Sequence, residues 1–163
     1  MAVTEVTTEA AGPLALDPAA RELVLEEIAA LGGALRDPAA RAPYEELAAA
    51  VAGGEVPPPL AARLERVLEM SLATGRARRL HGAEHEAALQ RLFFKTPGGE
   101  ALRRSAEAAN RALGALAGQR LEALAVTALA PGVHRLRLDT DRCQLTLEVS
   151  RDGVEVVGLE VEI

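Results

Sequence analysis

The chain has 163 residues, 49% of them hydrophobic, which excludes global disorder and provides a core for one ordinary domain or a domain with a helical extension. Only Tyr44, Phe93 and Phe94 are aromatic, no apolar run approaches the roughly 18–20 residues of a membrane span, and the single Cys143 excludes an internal disulfide or a thiolate cluster. The net charge of −6 is uneven: residues 1–75 carry −7, residues 76–120 carry +5 and residues 121–163 carry −4.

Residues 1–16, rich in Thr, Glu and Ala around Gly12-Pro13, read as a flexible arm. They lack the basic start and apolar block of a secretory signal, so cytoplasmic residence is the expectation. Asp17-Pro18 supplies a cap and a first-turn proline, and Leu23, Val24, Ile28 and Leu31 follow on one helical face up to Gly32-Gly33. Asp37-Pro38-Ala39-Ala40-Arg41 repeats residues 17–21. Pro43, however, has no N–H for the carbonyl of residue 39, so the second helix is expected to start near Pro43 and to stop at Gly53-Gly54. Pro57-Pro58-Pro59 opens a third helix with Leu60, Leu64, Val67, Leu68 and Leu72 inward, closed by Gly75. After the basic run at 76–79, a fourth helix buries Leu89, Leu92 and Phe93 and ends in the turn at 95–99. The fifth runs over about residues 100–117, with Leu102, Ala106, Ala109, Leu113 and Leu116 on one face.

Beyond Gly118 the period becomes two. Leu124, Val126 and Ala128 alternate, then Leu136 and Leu138, then Cys143, Leu145, Leu147 and Val149, then Val157, Leu159, Val161 and Ile163. Turns fall at Pro131-Gly132, Thr140-Asp141 and Arg151-Asp152-Gly153, and a phase slip predicts a bulge near Gly158. Arg135, Arg137, Gln144, Thr146, Glu148 and Glu160 take the other face. The fold class is therefore α+β: about five helices, then a four-stranded antiparallel β-meander packed on a long helix. The expected organisation is an arm at 1–16, an acidic helical region at 17–75 and an α+β domain at 76–163.

A long helix closed by Gly118, a strand over 121–129 and then GVHRLRLDTDRCQLTLEVSRDGVEVVGLEVEI resemble the C-terminal half of a nuclear-transport-factor-two-like domain, the cystatin-like α+β roll. The resemblance covers residues 100–163. It implies a curved sheet wrapped around a helix, often with a cone-shaped pocket, in a superfamily of enzymes, binders and scaffolds.

Three clusters carry candidate chemistry. On a continuous helix His81, Glu84 and His85 would share a face, where two imidazoles and a carboxylate suit zinc. The spacing resembles the H-x-x-E-H signature of inverzincin metallopeptidases, which implies His81 and His85 as ligands, Glu84 as base and a distant glutamate such as Glu162 as a further ligand. The ordinary alternative is a solvated helix start. Asn110, His134, Arg137 and Asp139 are candidates for a pocket between the fifth helix and the sheet. Arg76, Arg78, Arg79, Arg103 and Arg104, with Phe94, form a candidate anion or partner surface, for which neutralisation by the acidic helices is the simpler account. Gly98-Gly99 offers backbone N–H groups to an anion, but Glu100 beside it favours ordinary capping. His134 and Cys143 share parity with the inward leucines and read as core positions.

No catalytic set or cofactor motif stands out. The leading expectation is a non-enzymatic binding or scaffold protein, self-associating or joined to a protein partner, with neither cofactor nor membrane. The alternatives are a small-molecule binder or enzyme using the helix–sheet pocket, and a nucleic-acid binder using the basic segment 76–120.

Overall fold

The computed structural model describes residues 12–161, and residues 1–11 of the expected arm lie outside them. Residues 12–16 depart from that expectation. Strand β1 (Leu14–Ala15) pairs antiparallel with β2 (Glu55–Val56), and the Leu16 N–H donates to the Gly54 carbonyl at 2.8 Å. Leu16 and Val56 are both buried, so two apolar side chains hold a segment too short to show a period.

Helix α1 (Pro18–Ala34) begins as its sequence dictates: Asp17 accepts the Ala20 N–H at 2.8 Å and Pro18 occupies the first turn. Helix α2 (Pro38–Gly53) corrects the expected start at Pro43, because Asp37 caps it by accepting the Ala39 N–H at 2.9 Å and Pro43 lies inside it. The proline forfeits one backbone bond, but Leu47 and Val51 on the same helix are wholly buried, and that burial outweighs the loss. Helix α3 (Pro58–Ala73) buries Leu60, Leu64, Val67 and Leu68, the predicted stripe.

The expected fourth helix is two. The basic run forms α4 (Arg76–His81), and α5 (Ala83–Phe93) starts after Gly82, whose φ of 90° and ψ of 179° no helix accommodates. Six helices therefore precede the sheet among the described residues, where spacing alone suggested five. Helix α1 packs against α2, α3 and α5, around a core that includes Val24, Leu47, Val51, Leu64 and Leu68.

Helix α6 (Pro97–Gly114) is anchored at its start by side chains. The Thr96 hydroxyl donates to the Phe93 carbonyl at 2.7 Å and accepts the Gly99 N–H at 3.2 Å, while Glu65 of α3 accepts the Gly98 N–H at 2.7 Å. A side chain at Gly99 would collide with the Phe93 carbonyl, so that position requires glycine, while one at Gly98 would displace the Glu65 carboxylate. The anion at these N–H groups is thus the protein's own, as the capping account expects. Past Gly114 the chain tightens through bonds such as Ala115 N–H to the Ala112 carbonyl, and Gly118 at φ 77° releases it towards the sheet.

The chain divides into two compact units, Met1–Gly99 and Glu100–Ile163, so α4 and α5 fold with the first three helices. In the second unit β3 (Leu121–Ala130), β4 (Val133–Thr140), β5 (Cys143–Ser150) and β6 (Gly153–Val161) form an antiparallel meander in chain order. Register pairs Leu124, Leu138, Leu145 and Leu159 across the sheet, and beside them Val126, Leu136, Leu147 and Val156, so these residues share the apolar face. Arg137 pairs with Thr146 and Arg135 with Glu148 on the other face, as alternation predicts. The slip near Gly158 leaves Val157 unpaired between Val156 and Gly158. Helix α6 meets β6 where the Val154 N–H donates to the Ser105 hydroxyl at 3.3 Å. Ala109 of that helix is buried and Leu102 and Leu116 are half-buried, but Ala106 and Leu113 of the expected inward stripe are exposed.

Candidate metal centre and assembly surface

Gly82 decides how the histidines meet. By ending α4 and restarting the helix as α5, it leaves His81 as the last residue of one helix and His85 in the first turn of the next. Their rings stack with centroids 4.3 Å apart and planes 21° from parallel. Glu84 is exposed and stands apart from them, so the H-x-x-E-H residues are not presented on one continuous helix, and Glu162 lies outside the described residues. The carboxylate that does face the imidazoles is Glu26 of α1, 3.5 Å from His81 Nε2 and 4.0 Å from His85 Nε2 through Oε2. One ligand atom from each of Glu26, His81 and His85 lies within 4.8 Å of the others. His85 Nε2 is shielded from solvent and has no hydrogen-bond partner. No local spacing pointed to Glu26, because its partners lie 55 and 59 residues further along the chain.

Next to Glu26 in the chain, Glu27 is 3% exposed and accepts from Arg76 Nε at 3.2 Å, which leaves its Oε1 without a partner. The Ser71 hydroxyl is likewise buried and unpartnered. Both residues, with Leu31, Val67 and Arg76, line a cavity of about 220 Å³ within the helical unit, roomy and polar enough for water.

Three more of the basic candidates are also paired with acids. Arg78 lies 3.7 Å from Glu86, Arg103 lies 3.8 Å from Glu107 and Arg104 lies 3.9 Å from Glu100. Arg79 is exposed on α4, and Phe94 is half-buried with its ring 5.8 Å from that of Phe93.

The four pocket candidates do not converge. Arg137 Nε donates to Asp139 Oδ1 at 2.9 Å on the polar face of the sheet. That hydrogen bond holds the Asp139 carboxyl below its ordinary value of 3.8 and raises Arg137. His134 lies on the opposite face, between Ala128 and Val149, and is exposed where parity suggested a core position; Asn110 is exposed on α6. Cys143 is a core residue as expected, 4% exposed, its Sγ 3.3 Å from Gln119 Oε1.

The apolar face is covered unequally. Leu145 and Leu147 of β5 are 0% and 2% exposed, whereas Leu124 and Val126 of β3 are 58% and 66% exposed. Every residue of β3 is exposed, and β3 is an edge of the sheet. Its only charged side chain is Glu122; the opposite edge, β6, carries Glu155 and Glu160. The edge pairing and the open face were not distinguishable from the buried strands by periodicity, which is the same in both.

Among the described residues no helix is long and apolar enough to cross a membrane. No protein-family model, no curated protein and no solved structure matches this chain.

Proposed function

We propose that the protein is a non-enzymatic scaffold that self-associates through strand β3 of its C-terminal sheet. The observation that carries this reading is the exposure of all ten residues of β3, including Leu121, Leu124, Val126 and Leu129. A helix is about 10 Å across and strands lie about 4.8 Å apart, so a single helix covers roughly two strands of a four-stranded sheet. Helix α6 is the one helix of the second unit, and half of an apolar face is left over for a partner.

The edges favour a copy of the same strand. A ten-residue edge whose single charge, Glu122, lies near one end is a template for backbone pairing, whereas Glu155 and Glu160 of β6 repel a second β6. Antiparallel pairing of β3 with itself is isologous and closes as a twofold dimer. The resemblance of residues 100–163 to the cystatin-like roll is compatible with assembly, since that superfamily includes scaffolds. Pairing of Arg76, Arg78, Arg103 and Arg104 with the protein's own acids supports assembly over nucleic-acid binding.

Sedimentation equilibrium tests the reading. The wild-type chain is expected above its monomer mass of 17.1 kDa, and Val126→Arg or Thr127→Pro is expected to return it to that mass with its helical spectrum intact. A wild-type chain that stays monomeric at high concentration would sink the proposal.

A further inference from the structure

We infer that Glu26, His81 and His85 form a binding site for one zinc-like divalent cation, which ties α1 to the elbow between α4 and α5. The inference is independent of assembly through β3. Its ground is that three potential ligand atoms lie within 4.8 Å of one another without satisfying one another. The separations of 3.5 and 4.0 Å from Glu26 Oε2 to the two Nε2 atoms exceed the roughly 2.7–3.2 Å of a hydrogen bond. They lie close to the spacing of donor atoms around a tetrahedral zinc, about 3.3 Å when each bond is about 2.0–2.1 Å. A buried nitrogen with no partner is costly and uncommon, and His85 Nε2 is one, 4.0 Å from Glu26 Oε2.

The donor set selects the chemistry. Two imidazoles and one carboxylate suit borderline first-row divalent ions and disfavour magnesium or calcium, which take oxygen ligands. Glu26 is half-exposed, so solvent reaches the fourth position and completes a tetrahedron with water. The ligands come from three helices, the last two parted by the break at Gly82. Bound metal would therefore act as a cross-link, and its occupancy would be linked to the stability of the helical unit.

The test is calorimetric titration of the chelator-stripped full chain with zinc chloride, with cobalt absorption as a reporter of four-coordinate geometry. Expected are one equivalent per chain, an intense visible cobalt spectrum and a rise in melting temperature on binding. Glu26→Gln and His85→Ala should each weaken binding at least tenfold, a loss no smaller than that for removing an outer-shell partner. Glu84→Gln and His134→Ala should leave affinity unchanged. Circular dichroism of each apo variant separates lost ligation from lost folding, and the exposed Glu26→Gln decides the matter should His85→Ala unfold. Absence of saturable binding, equal binding by all variants, or a loss confined to Glu84→Gln would each overturn the inference.

Discussion

In the helical unit Val24, Leu47, Val51, Leu64 and Leu68 are all withdrawn from water, and each lies on the stripe its spacing marks. In the sheet unit Leu145 and Leu147 are as deeply buried, yet Leu124 and Val126, on the same face through the register of β4, stay more than half exposed. A helix stripe meets neighbours on several sides, because α1 packs against α2, α3 and α5. A sheet face is covered only as far as its helix reaches. Periodicity thus fixes which way a side chain points and leaves open whether anything is there to meet it.

The contrast can be broken most directly at β5. Leu147→Ala should destabilise the fold by about 2–5 kcal/mol in a denaturant titration, the usual cost of a cavity in a packed core. Thr146→Ala on the other face and Leu124→Ala on β3 should each cost less than about 0.5 kcal/mol in dilute solution. If Leu124→Ala matched Leu147→Ala under those conditions, the two strands would be equally covered and the contrast would vanish.

Charge sharpens the same comparison at smaller scale. Arg76→Ala strips the partner from a carboxylate 3% exposed and should cost about 1–3 kcal/mol, because the lost bond leaves a buried charge. Arg103→Ala breaks only an exposed helical pair with Glu107 and should cost less than about 0.5 kcal/mol. Thermal melts of the two variants read the difference, and equal shifts would mean that Glu27 does not depend on Arg76.

The smallest effect is expected at Asp139. Its carboxyl is held below 3.8 by the hydrogen bond from Arg137, against the opposing effect of desolvation. A lowered folded value means that the stabilisation is present above pH 3.8 and is lost as pH falls through that lower value. Asp139→Asn should therefore narrow the gap to wild type on acidification, and a pH-independent gap would show that the pair contributes nothing through ionisation.

Much of this architecture was legible in the residues. The cap at Asp17, the meander, its two faces and the bulge beside Gly158 follow from local chemistry that acts within a few positions. What escaped was non-local or too brief. Pro43 is a local barrier to a helix from Asp37, and burial of Leu47 and Val51 carries the helix past it. The pairing of β1 with β2 spans two residues and has no period to detect. In the His81/His85 cluster the histidines were visible and their carboxylate was not, because Glu26 arrives by packing of α1 and Gly82 turns Glu84 away from a shared helix.

The start of α6 bears on where this protein can be cut. The two compact units part between Gly99 and Glu100, but the side chains that satisfy the helix's opening N–H groups, Thr96 and Glu65, lie on the N-terminal side of that point. A gene fragment beginning at codon 100 would encode the whole sheet and still leave α6 frayed, with neither its first turn nor its caps. One beginning at codon 96 would keep the threonine and lose the glutamate together with the Phe93 carbonyl that the threonine hydroxyl bonds. The seam drawn by packing and the seam drawn by hydrogen bonding are offset by about one helical turn, and excision of the sheet unit has to respect the second.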